Sequence, residues 1–65
     1  MEKYQKHYDY STDIIVIFDD GSELLLEDIK DIWMDETGHF VHFQDWYGDE
    51  IATISYQKIR YFKQK

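Results

Sequence analysis

The 65-residue chain contains no cysteine and no proline, and only three glycines. Without cysteine there is neither a disulfide nor a thiolate metal site, so the staples that commonly hold a domain this small are excluded and stability must come from packing or association. Without proline, and with no low-complexity stretch, no linker is visible. The glycines at 21, 38 and 48 are isolated, which excludes a glycine-rich phosphate loop and marks each as a turn. Long apolar runs are also missing. The longest, residues 14–18, falls far below the roughly 20 residues of a membrane-spanning helix, and the opening MEKYQKHYDY lacks the apolar core of a secretory signal. A soluble, cytoplasmic protein is expected, and the absence of cysteine is compatible with a reducing compartment.

Basic charge is the next scarcity. Residues 9–50 carry thirteen carboxylates against one base, Lys30, a net of −12 in a chain whose total is −7. Residues 1–8 are slightly positive, and residues 51–65 carry Lys58, Arg60, Lys63 and Lys65 with no acid. Ring surface, by contrast, is abundant: six Tyr, four Phe and two Trp. A chain of this length buries only about 60% of its unfolded surface, and each large ring contributes on the order of 150 to 250 Å². Aromatic packing is therefore the expected substitute for the missing staples.

The hydrophobic pattern predicts a mostly β domain over residues 13–65, preceded by an arm, residues 1–12, that either adds to a sheet edge or stays mobile. A β-branched run, the Asp20-Gly21 turn and a second apolar run predict a hairpin with strands at 13–18 and 22–26. An alternative α+β reading places a helix over 21–34, because Leu25, Ile29, Ile32 and Trp33 share one helical face and Asp20 with Glu23 matches a capping box. Strands at 31–35 and 39–44 flank the turn at Glu36-Thr37-Gly38, and Trp33 is expected in the core. A third turn, Trp46-Tyr47-Gly48-Asp49, leads into a strand beginning at Glu50-Ile51. A tight turn at 56–58 precedes the last strand, 59–62. Five or six antiparallel strands result, as a meander that resembles a small SH3-like barrel in strand count and order. Residues 14–18 and 24–26 are apolar on both faces, so something must cover the second face: the arm, a helix, a second copy or a partner.

The segment GHFVHFQDWYGDE concentrates polar and aromatic chemistry, yet it does not read as a metal or catalytic site. On a strand, His39 and His42 point to opposite faces, which is wrong for two ligands of one ion. Asp45, Asp49 and Glu50 lack the ordered ligand spacing of a calcium loop. Ser11, Ser22 and Ser55 sit in no nucleophile elbow, and there is no thiol. No enzyme activity, metal or cofactor is expected.

Trp46 and Tyr47 are adjacent in a turn, so both rings cannot point inward, and Trp and Tyr are preferred interface anchors. They form one expected partner-binding cluster with Asp45, Asp49 and Glu50, while Asp19, Asp20, Asp35 and Glu36 on the other turns contribute charge. Duplex DNA carries one charge per about 1.7 Å, so twelve charges match roughly 20 Å of duplex. The expected partner is a protein with a basic nucleic-acid-binding surface; direct binding of nucleic acid or membrane is not expected. Size, cysteine-free composition and segregated charge resemble, in type, small inhibitors of phages and mobile elements such as anti-CRISPR proteins and DNA mimics. The alternative is a self-associating subunit, for instance a homodimer, whose acidic surface only maintains solubility.

Overall fold

The computed structural model of the chain describes residues 4–65. Five strands follow one another, β1 (Tyr4–Phe18), β2 (Glu23–Met34), β3 (Phe40–Asp45), β4 (Glu50–Ser55) and β5 (Ile59–Gln64), with one 3-10 turn, Tyr56–Lys58, before β5. All pairings are antiparallel and the order across the sheet is β4-β3-β2-β1-β5. The mostly β, five-stranded architecture expected from the sequence is the one the chain adopts, as an open sheet whose edges are β4 and β5. Its Cα radius of gyration is 11.1 Å, the value of about 11 Å that its length implies.

The helix alternative over 21–34 is overturned, because Glu23–Met34 is one continuous strand paired with β1 on one side and β3 on the other. The two strands expected at 22–26 and 31–35 are therefore parts of β2, and the count is five. The misleading periodicity has a physical origin. Leu26, Ile29 and Ile32 are all buried at intervals of three, where a regular strand would place inward residues at intervals of two. Each interval contains an extra residue. Glu27 and Asp28 together oppose Asp13 of β1, and Lys30 is the inserted residue against β3. A bulge in each interval stretches two to three, which imitates a helical face.

Tyr4 to His7, within the predicted arm, pair with Met34 to Asp31 of β2; residues 1–3 of that arm lie outside the described residues. Turn predictions match observed turns. Gly21 (φ 89°), Gly38 (φ 73°) and Gly48 (φ 86°) hold left-handed conformations between successive strands, a region that glycine enters without steric cost.

The sheet folds over on itself. Phe43 of β3 and Phe62 of β5 are three inter-strand spacings apart, roughly 14 Å in a flat sheet, yet their rings meet edge to face at 5.6 Å. Inside the fold lie Ile14, Val16, Leu26, Ile29, Ile32, Val41 and Phe43, ringed by Phe18, Met34, Ile54, Ile59 and Phe62. Tyr56 N–H donates to His39 O at 2.9 Å and Asp19 N–H to Lys58 O at 3.0 Å, so the 3-10 turn ties the β3–β4 side to the β1–β2 turn.

The outer face of β1 is apolar as expected. Ile15 lies opposite Leu25 and Lys63, and Ile17 opposite Glu23 and Tyr61, so neighbouring side chains share that face with solvent. Trp33 is not in the core: it faces outward, stacked on His42 across the β2–β3 ladder with centroids 4.0 Å apart.

Phe43, fully buried, links the two halves of the fold. Phe43→Ala is expected to cost on the order of 3 to 5 kcal/mol, comparable with the whole stability of a 65-residue domain, and to abolish the cooperative urea transition. Ile29→Val is expected to keep that transition while losing about 1 kcal/mol.

Candidate functional site

The β3–β4 turn is built by one carboxylate. Asp45 Oδ1 accepts the backbone N–H groups of Tyr47 and Asp49, both at 2.9 Å, and the backbone closes with Asp45 N–H to Asp49 O and Gly48 N–H to Asp45 O. An Asp accepting amides a few residues on fixes a tight turn by itself. Held this way, Trp46 is 65% and Tyr47 81% exposed, with their rings in edge contact at 5.9 Å and 74°.

Two bulges bring other residues beside this turn. Between the pairs His7–Asp31 and Thr12–Ile29, four residues of β1, 8–11, oppose the single Lys30 of β2. Lys30 Nζ donates to Asp9 O and holds the base of the bulge, while Tyr10 at its crest is 86% exposed. In β2, Asp28 has φ 59°, the single non-glycine residue with positive φ among those described. Asp is among the few side chains that tolerate that region, and Asp13 Oδ1 steadies the bend by accepting Asp28 N–H at 3.1 Å. A groove of about 420 Å³ runs between the bulges and the turn, lined by Asp9, Tyr10, Ser11 and Asp28 on one side and Asp45, Trp46 and Tyr47 on the other.

The remaining sequence-predicted residues lie elsewhere. Asp49 stays in the turn without lining the groove. Glu50 opens β4 and accepts a hydrogen bond from His42 Nδ1 on the outer face, beside Trp33. Asp20 Oδ1 accepts Ser22 N–H at 2.9 Å and the Ser22 hydroxyl at 2.6 Å. With Asp19 it borders a separate cavity that includes Lys58. Asp35 Oδ1 accepts the Thr37 hydroxyl at 2.6 Å and Gly38 N–H at 3.0 Å in the β2–β3 turn, next to Glu36.

Sequence reasoning placed Trp46, Tyr47 and Asp45 together and missed Asp9, Tyr10, Ser11 and Asp28. The local signal was the acidic pair Glu27-Asp28 set between the apolar run Leu24-Leu25-Leu26 and Ile29, and a bulge is one device that accommodates it. Chemically, the groove offers ring faces and carboxylates. No histidine lines it, and among the described residues no three His, Asp or Glu side chains gather as a metal site. No helix among them is long and apolar enough to cross a membrane.

The fold and groove define a small, open-sheet β domain with an aromatic and acidic surface. No protein-family model, curated protein or solved structure matches the chain.

Three carboxyls are held below their ordinary values by their hydrogen bonds: Asp20 by the Ser22 hydroxyl and amide, Asp35 by the Thr37 hydroxyl, and Glu50 by His42. In the unfolded chain they titrate near 3.8, 3.8 and 4.5. Their contribution to stability is complete above those values and is lost as pH falls through the lower, folded ones. The urea midpoint is therefore expected to fall on acidification below pH 4.5, the ordinary Glu value. The triple variant Asp20→Asn, Asp35→Asn, Glu50→Gln should show a shallower fall; an identical slope would contradict these assignments.

Proposed function

We propose that this chain is a non-enzymatic, acidic protein-binding module that docks on a basic protein surface and inhibits or regulates a nucleic-acid-handling protein by occlusion. The observation that carries this reading is the exposed Trp46–Tyr47 pair set in a segment of net charge −12. Exposed Trp and Tyr supply rigid contact area at low entropic cost. The carboxylates supply long-range attraction to a positive groove and repulsion of nucleic acid itself. The principal extents, 30 × 28 × 16 Å, place that charge within a length comparable with the roughly 20 Å of duplex that carries twelve phosphates. Phage and mobile-element inhibitors of the DNA-mimic or anti-CRISPR type are the class this combination fits.

A second reading is favoured by the sheet edges. Both β4 and β5 pair on one side only; the first opens with Glu50, and the second carries Arg60 and Lys63. Opposite charges on two open edges suit strand addition between copies. Sedimentation across a range of concentrations separates the two readings, because self-association alone makes the apparent mass rise with concentration.

Affinity capture from a lysate of the source cell, with and without nuclease and at low and high salt, tests the first reading. The expected result is a nucleic-acid-handling protein retained after nuclease and released by high salt. Charge reversal at Asp19 and Glu36 is expected to slow association by up to about tenfold while leaving dissociation nearly unchanged. Retention indifferent to salt would remove the mimic mechanism.

A further inference from the structure

We propose that the groove between the β1 bulge and the β3–β4 turn receives an arginine side chain of the partner, its guanidinium laid on the Trp46 and Tyr10 rings and paired with Asp28 and Asp9. The proposal rests on the protein-binding reading and names the group that the partner presents.

Four observations converge on a planar cation. The groove is lined by three aromatic rings and three carboxylates and by no base. The one base of this acidic segment, Lys30, is engaged beneath the bulge by the Asp9 carbonyl. Asp45 spends its Oδ1 on two amides of its own turn, whereas no hydrogen bond or ion pair joins the carboxylates of Asp9 and Asp28 to any described residue. The backbone that aims Asp28 is the left-handed bulge residue of β2, and bulges of this kind commonly redirect a side chain towards a binding site.

The chemistry of the lining selects among occupants. An anion is repelled by the surrounding charge. A neutral or proline-rich segment would use the rings and leave the carboxylates idle. An ammonium is compact and strongly hydrated, while a guanidinium is planar, weakly hydrated, stacks on aromatic faces and presents a fork that matches a carboxylate. A volume of about 420 Å³ accommodates one extended side chain with its flanking backbone.

The test uses three glycine- and serine-flanked peptides that differ at one residue: arginine, lysine or citrulline, the last a neutral isostere of arginine. Dissociation constants are read by amide-shift titration at low ionic strength against the full chain and three variants. Asp28→Asn keeps a residue at ease with positive φ, Trp46→Ala removes an exposed ring, and Glu23→Gln removes one charge outside the groove. Each variant's amide spectrum verifies the fold. The expected result is that arginine binds about tenfold tighter than citrulline and several-fold tighter than lysine. Asp28→Asn and Trp46→Ala should each weaken the arginine peptide by about fivefold or more, with Glu23→Gln within about twofold of the parent.

Equal binding of arginine and lysine, with Asp28→Asn indistinguishable from Glu23→Gln, would overturn the groove while leaving the acidic module intact, because the exposed Trp46–Tyr47 pair and the surrounding charge serve that module without a seated arginine. Absence of arginine-peptide binding would likewise overturn the groove. The module itself stands or falls on the salt-dependent capture, which does not depend on which side chain of the partner enters the groove.

Discussion

One constraint governs this molecule: a short chain with no covalent staple must enclose a core with a single sheet. A flat five-stranded sheet with nothing packed on it would leave both of its faces in water. Here the sheet doubles back until Phe43 meets Phe62, and the bending is taken up by bulges in β1 and β2. Bulges bend a strand by leaving residues out of the ladder. Those residues, 8–11 and 27–28, include Asp9, Tyr10, Ser11 and Asp28 of the groove. The fold and the candidate site thus share a cause, since the irregularities that let the core close also release the chain that forms the binding surface.

Where structure followed from local chemistry, it was legible in the sequence. Asp-Gly at 20–21, the isolated glycines at 38 and 48, and the β-branched run at 14–18 act through steric preferences of single residues or short stretches, and the turns and strands formed there. Register was not legible. A bulge is a mismatch between partners distant in sequence, so the spacing of Leu26, Ile29 and Ile32 read as a helix when it records two insertions in a strand. Trp33 was misplaced because it shares a helical face with Leu25, Ile29 and Ile32, whereas on a strand it follows the inward-facing Ile32 and so points to the other side. At the site, the exposure of Trp46 and Tyr47 followed from their adjacency in a turn. Their meeting with Tyr10 and Asp28 depends on folding that no local pattern encodes.

The carboxylates show how one residue type serves structure and electrostatics together. Asp13, Asp20, Asp35 and Asp45 each accept backbone amides at a bulge or turn, so four of the thirteen carboxylates in residues 9–50 build turns or bulges in a chain with few glycines. The Ser22 and Thr37 hydroxyls, together with those amides, hold Asp20 and Asp35 ionised to lower pH than usual. Local structural use and a persistent negative field reinforce each other. Asp9 and Asp28, whose carboxylates make no hydrogen bond or ion pair with a described residue, line the same groove as the exposed rings.

The most direct test is to map, residue by residue, where the basic protein recovered by capture touches this chain, using amide-shift changes in the isotope-labelled domain. The account predicts changes concentrated at 9–11, at Asp28 and at 45–47, with the β4 and β5 edges unaffected. Changes running along either edge, with the groove silent, would contradict it.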